Sequence, residues 1–470
     1  MQRVETDLTR LSATALSKML AIGTLTSRQL LDHCLDRIAR INPAVNAIVT
    51  LSPDAAAEAD AADLRRVAGR RLGPLDGMPI AIKDNLLVRG VRTVWGSKLF
   101  EHFVPDHDEL PVALLRAAGA VLIGKTNVPE FTLRGFTANP VFGVTRNPWN
   151  LDRTPGGSSG GAAAAVAAGL VPLALGTDGG GSIRRPAAYT GLVGLKPTIA
   201  RIPRARGFPQ ILHDCEVVGP IARTVNDARL MLSVLAQPHV ADQRSRLFQP
   251  LQPAATPSRL RILYVESIGD APVDLSIRQA SRQFAERLTA LGHSVITGML
   301  PFSIDAVNAN WGKIGNVGLA MLARTQVRLA ELASPAFAEQ ARLGGAISGA
   351  EYLELLELLF AFRSEVGRAF ASIDVIMTPA AAAQPWAAEQ LFPPVIEGRG
   401  AGPRGHAVFT GWVNACGHPA LAIPAGHDDD DIPIGVQLVG DYGTEAMLLD
   451  LGRQVERAYP WADQWPALAA

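Results

Sequence analysis

Two glycine clusters in the chain carry serines: Gly156-Gly157-Ser158-Ser159-Gly160-Gly161 and Thr177-Asp178-Gly179-Gly180-Gly181-Ser182-Ile183-Arg184. Serine chemistry needs a hydroxyl, a base in hydrogen-bond reach and donors aimed at the oxygen that becomes negative. Gly179, Gly180 and Gly181 suit the last need, because N–H groups without Cβ atoms beside them can turn inward together. Losing one such donor typically costs about 3–4 kcal/mol of transition-state stabilisation. A glycine turn leaving a strand is the commoner use of such a run, and the flanking Asp178, Ser182 and Arg184 tip the balance toward chemistry.

The base is less evident. Of nine histidines, none is singled out beside Ser158 or Ser182; His213 is the best local candidate and reads as structural. Lys83 ends the apolar run Pro79-Ile80-Ala81-Ile82 and would have to work as a neutral amine. From a reference pKa near 10.4, neutrality at pH 7 costs about 4.6 kcal/mol. Full burial can lower a lysine pKa by roughly 3–5, so only a dry site makes Lys83 a base. A lysine at a strand end is more often exposed or salt-bridged, and spacing alone leaves the base open.

Other readings compete for the same residues. Gly119-Ala120-Val121-Leu122-Ile123-Gly124-Lys125-Thr126 matches the phosphate-binding GxxxxGK[ST] pattern. Its middle residues want to be a strand, and Asn127-Val128-Pro129 opposes an immediate helix. Gly156-Gly157-Ser158-Ser159-Gly160 matches the GxSxG elbow, which would make Ser158 the nucleophile. An elbow follows an apolar strand, whereas residues 147–155 form a polar loop. Neither cluster contains GxGxxG, so a dinucleotide site is not indicated.

Strand and helix patterns alternate around these residues. Met78 to Ile82 and Ala120 to Ile123 read as buried strands. Asp108 to Ala118 reads as a helix capped by Asp108, Gly160 to Ala168 as a small-residue helix, and Leu170 to Leu175 as a strand entering the second cluster. The first sixty residues read as helical, with Ser27 capping the second helix. Residues 237–258 resemble a surface connector; a strand (261–265) and an amphipathic helix (275–291) follow. Residues 306–370 read as a helical cover without chemical residues, and 374–378, 420–424 and 434–438 as strands of the same sheet. The pattern predicts an α/β fold with one mostly buried sheet.

The 470 residues are 48% apolar and 19% charged, with Lys+Arg and Asp+Glu both at 44, and mean hydropathy is +0.15. A sizeable core is expected, and the balanced charge gives no case for nucleic acid or an anionic membrane. Arg65-Arg66 and Arg70-Arg71 read as solvated faces, and Asp428 to Asp431 as a polar turn. Cys34, Cys215 and Cys416 are far apart and read as buried free thiols of a reducing compartment. The start, Met1 to Asp7, carries acids where a signal peptide carries an apolar core. The uncharged stretch Thr154 to Thr177 is mostly Ala and Gly and holds Pro172, so it reads as core and not as a membrane span.

Taken together, the two clusters and Lys83 resemble the amidase signature family of Ser-Ser-Lys amidohydrolases. The resemblance is dense from Pro74-Leu75-Asp76-Gly77 through Gly194-Leu195-Lys196-Pro197, including Gly124 to Glu130 and Thr145-Arg146-Asn147-Pro148-Trp149, and resumes at Gly435-Val436-Gln437-Leu438. It implies a single domain over 1–470, with N-terminal helices to about 65, a signature core from about 74 to 235 and a helical cover from about 300 to 370. It further implies Lys83 as base, Ser158 as relay serine after a cis peptide, and Ser182 as the nucleophile that is acylated by an amide, ester or carbamate. Asp178 and Arg184 would brace the loop and Ser159 would support Ser158. No catalytic position departs from the pattern, although Gly179 stands where a bulkier residue is common.

The family's fold is a large mixed β-sheet covered by helices, and the resemblance implies no cofactor and no metal. It implies a cytoplasmic enzyme for a small-molecule amide, without a membrane partner; a homodimer is compatible with it. Residues 404–412 look more like stand-alone bacterial amidases than the glutamine-hydrolysing component of a tRNA-dependent amidotransferase, which is the alternative. By motif alignment Thr132 and Leu133 would line the acyl side of the pocket. Phe131, Phe136, Ile202, Phe208, Trp386, Phe392 and Trp412 lie in nearby loop-like segments, so an apolar or aryl-bearing amide is the expected substrate.

Overall fold

Runs such as Pro79-Ile80-Ala81-Ile82 and Val121-Leu122-Ile123 are apolar on both faces, which suits strands covered by helices from both sides. The computed structural model of the protein describes residues 7–252 and 258–469. The chain start up to Thr6 and connector residues 253–257 lie outside them. Eleven strands form one mixed sheet. In chain order they are β1 (Ile48–Leu51), β2 (Pro79–Lys83), β3 (Val121–Thr126), β4 (Leu173–Asp178), β5 (Val193–Lys196), β6 (Val217–Ala222), β7 (Arg261–Tyr264), β8 (Ser294–Thr297), β9 (Val375–Pro379), β10 (Ala420–His427) and β11 (Pro433–Gly440). Their order across the sheet is β1-β3-β2-β4-β6-β5-β10-β11-β9-β7-β8.

The centre of the site comes from β3, β2 and β4, which run parallel side by side. Ile82 stands opposite both Lys125 and Leu175, so Lys83, Thr126 and the end of β4 arrive at one edge. β4 begins later than its apolar run suggests and continues through Gly176-Thr177-Asp178, because these residues pair with β6 down to Asp178 opposite Val217. Thr177 and Asp178 are thus held by a ladder and not by a loop. The helix Gly160–Ala167 follows the first cluster and is buried along its whole length. Gly161 lets it lie against the backbone of Asn127, where a Cβ would collide.

Several local expectations shift by a residue. The second helix spans Ser27–Val45, capped by Thr26 in a capping box with Gln29, while the Ser27 hydroxyl donates to the Gly77 carbonyl at 2.8 Å. The helix Leu110–Ala117 has Glu109 at its cap position; Asp108 instead accepts from Arg89 N and the Arg116 guanidinium. Among the supposedly all-helical first residues, Ile48–Leu51 forms β1, drawn into the sheet by antiparallel pairing with β3. Arg65 is no solvated arginine, since it pairs with the buried carboxylate of Asp76. The P-loop match is strand β3, with no turning loop to cradle a phosphate. Cys34, Cys215 and Cys416 are free and buried. Asp428 closes the turn between β10 and β11 by accepting from Asp430 N and Ile432 N. Among the described residues no helix is long and apolar enough to cross a membrane.

Candidate active site

β2 delivers Lys83 into the core with no exposed surface. Its Nζ lies 2.7 Å from Ser158 Oγ, 2.8 Å from Thr177 Oγ1 and 3.0 Å from the Thr177 carbonyl. Among the described residues no carboxylate bonds it. Burial pushes its pKa down to about 7, against the more distant pull of Glu216 and Asp178. The amine is therefore substantially neutral near pH 7, which is what proton abstraction needs.

Ser158 follows a cis peptide from Gly157. Ser159 ties the clusters together, donating from its N–H to the Ser182 carbonyl at 3.1 Å and from its hydroxyl to the Thr177 carbonyl at 3.0 Å. Gly157 packs against the backbone of Phe136 so closely that a Cβ would collide.

The second cluster is organised by Asp178. Its carboxylate accepts from Gly181 N at 2.7 Å, Ile183 N at 3.0 Å, and Arg184 Nε and Nη2 at 3.0 and 2.9 Å. Burial by itself would raise this carboxyl, but the Arg184 guanidinium and the N–H donors hold it well below the ordinary carboxylate range. Gly181 adopts φ +108 and leaves no room for a side chain beside Arg185 and Thr410, so only glycine makes this turn without strain. The Gly181 N–H, one of the expected oxyanion donors, is directed at Asp178 instead, while Gly179 and Gly180 line the cavity in front of Ser182. At Gly179 a Cβ would meet the tip of Leu212, which occupies the space a bulkier residue would fill.

Residues remote in sequence complete the brace. Gln437 on β11 accepts from Arg184 Nη1 at 2.8 Å and donates to the Phe409 carbonyl and Thr378 Oγ1. Asn414 accepts from Arg184 Nη2 and donates to Asp178. Arg185 bonds the carbonyls of Gly180 and Gly157 and the Thr410 hydroxyl, clasping the two glycine clusters. Sequence reasoning missed Asn414 and Arg185; the unexplained second arginine of Arg184-Arg185 was the available signal for the latter.

Ser182 opens onto a cavity of about 460 Å³ that also reaches Gly179, Gly180, Thr132 and Leu133. Of the aromatic and apolar residues expected there, only Phe392 lines it. Phe131 and Phe208 pack around Trp95, Phe136 and Trp386 around Tyr189, Ile202 in the main core, and Trp412 against Phe302. The wall is instead built by Leu212 and, from the helix Asp305–Thr325, by Trp311 and Asn316. The helical cover therefore contributes to the site, contrary to the sequence reading. His213 is exposed and bonds Asp214 at 3.0 Å; the histidine that lines the cavity is His406.

This mixed sheet and the serines and lysine at its edge define an amide hydrolase, acting on carbon–nitrogen bonds. The sequence profile of the Amidase family matches residues 29–449, and the chain belongs to that family. It is 39% identical over 483 residues to a Mycobacterium bovis protein named as the amidase AmiB2, covering 99% of each chain. It is 35% identical over 501 residues to a glutamyl-tRNA(Gln) amidotransferase component from Synechococcus sp. strain CC9902, covering 98% of this chain and 99% of that one. Among solved structures, a 6-aminohexanoate cyclic dimer hydrolase complexed with substrate is similar with TM-score 0.88 at 29% identity, covering 99% of this chain and 100% of the other.

Proposed function

We propose that the protein is a stand-alone amidase working through a Ser182 acyl-enzyme with a Ser158–Lys83 proton relay. The observation that carries this reading is the buried Lys83 amine, 2.7 Å from Ser158 Oγ and without a carboxylate partner. Neutral Lys83 takes the proton of Ser158 as Ser158 takes that of Ser182, and Ser182 Oγ adds to the amide carbonyl carbon. The N–H groups of Gly179 and Gly180 receive the developing oxyanion, while Gly181 sets the turn by its bond to Asp178. Collapse breaks the C–N bond, and Ser158 hands the proton to the departing amine. Water then adds to the acyl-enzyme by the same relay in reverse, releasing the carboxylic acid and restoring Ser182. Thr132 and Leu133 bound the acyl side, Ser159 holds Ser158 against the second cluster, and Asp178 with Arg184 fixes the loop. Three buried free thiols support a cytoplasmic enzyme.

The amidotransferase relatives favour glutamine hydrolysis as a second reading. Against it stands the cavity lining, which contains no aspartate or glutamate to partner the α-ammonium of an amino acid. Fluorophosphonate labelling followed by peptide mass spectrometry tests the assignment: label is expected on Ser182, and label on Ser158 alone would overturn it. Turnover restricted to free glutamine would select the second reading.

A further inference from the structure

Three arginines line the cavity in front of Ser182: Arg134, Arg185 and Arg404. Many other arginines meet carboxylates, as Arg116 meets Glu58 and Asp108 and Arg204 meets Glu109 and Glu216, while the buried Arg37 and Arg223 are held by backbone carbonyls. These three make no ion pair among the described residues. Arg134 lies 4.3 Å from the centroid of the Phe337 ring and Arg404 5.7 Å from that of Trp311. Arg185 is held by neutral oxygens only, and its Nε has no partner. The carboxylate of the adjoining loop, Asp178, is engaged by Arg184, Asn414 and backbone N–H groups.

His406 lines the same cavity at 3% exposure, and neither of its ring nitrogens has a hydrogen-bond partner. Burial, then the charges of Arg185 and Arg404, push its pKa well below the ordinary histidine value. A neutral imidazole with unspent hydrogen-bonding capacity thus sits in the field of two unpaired guanidinium groups. Like charges gathered without a counter-ion repel one another, and a planar guanidinium is shaped to receive a carboxylate. Leu133, Leu212, Trp311 and Phe392 give the rest of the wall its apolar surface, and its other polar side chains, Thr132, Asn316 and Gln340, are uncharged.

We infer that the substrate is an amide carrying a second, anionic group of the carboxylate class, received by Arg185, Arg404 and His406 in the field of Arg134. This rests on Ser182 being the nucleophile. The anion can belong to the acyl or the amine portion, and paired substrates separate the two. Glutaric acid mono-4-nitroanilide against valeric acid 4-nitroanilide places the charge on the acyl side; N-benzoylglycine against N-propylbenzamide places it on the amine side.

In at least one pair the anionic member should have a kcat/KM roughly ten- to a hundredfold higher, the range of a charge-assisted hydrogen bond. Arg404→Gln should shrink that ratio toward one through KM, and Arg134→Gln provides a second variant should the first fail to fold. Glutarate should also protect Ser182 from fluorophosphonate labelling at a concentration at least tenfold below glutaramide. Equal protection by the two, or a ratio at or below one in both pairs while Ser182 still labels, overturns the anionic substrate alone. No labelling of Ser182 at all overturns the nucleophile assignment and this inference with it.

Discussion

Lys83 ends β2 and Lys125 stands one residue before the end of the neighbouring parallel strand β3, one register step away, and both are wholly buried. Lys125 has a carboxylate 3.3 Å away on Asp84, besides bonds to the Leu86 carbonyl at 2.6 Å and Thr93 Oγ1 at 2.8 Å. Lys83 has only hydroxyls and a carbonyl. Burial drives Lys125 down and Asp84 up to about 6, while their mutual attraction opposes both shifts, and the pair joins the ends of β2 and β3 within the core. Without such a partner Lys83 loses its proton near neutrality. At equal burial the two lysines differ by one carboxylate, and on the proposed mechanism that difference separates a strut from a base.

The comparison is broken most directly at the base. Lys83→Ala should lower amide turnover by roughly 10²–10⁴, with circular dichroism unchanged and Ser182→Ala at least as damaging; near-normal kcat would sink the lysine-base mechanism. Lys125→Met should cost stability instead, about 3–5 kcal/mol for stranding Asp84 without its cation. Urea unfolding measures this, and adding Asp84→Asn should recover much of the loss. If Lys125→Met silences catalysis in a fully stable protein, the two lysines do not divide their roles as described.

A finer test uses pH. Because Lys83 must be neutral to accept a proton and titrates at about 7, kcat/KM should fall tenfold per pH unit well below 7 and level off above it. A flat profile from pH 5 to 8 would contradict a titrating base. Thr177→Val removes an acceptor that favours the charged amine, so the acid limb should move down by about half a pH unit, as expected for a hydrogen bond of about 1 kcal/mol. An upward shift would mean that the hydroxyl serves the neutral amine instead.

Much of this arrangement is visible in the sequence because it is local. The glycine clusters expose Ser158 and Ser182 as candidates, whereas Lys83 stands out through the family resemblance and not through the apolar run that it ends. What stayed hidden depends on contacts between distant segments. Thr177 and Asp178 belong to a strand only because β6 pairs with them, and Asn414 and Gln437 reach Arg184 from the far end of the chain. The aromatic residues near the motifs misled for a related reason: a large ring such as Trp412 gains more from burial against Phe302 than from facing a cavity. The short apolar segment Ile48–Leu51 was lost among helices because its strand character comes from β3.

The split origin of the site has a consequence for how such a protein changes over time. Lys83, Ser158 and Ser182 stand on the sheet edge and the loops after it, whereas Trp311, Asn316, Phe392 and Arg404 belong to the helical cover and a late loop. Substitutions in the latter segments alter what is admitted without disturbing the hydrogen bonds around Lys83. A lineage, or a laboratory library confined to those segments, can therefore explore new substrates while inheriting its chemistry intact.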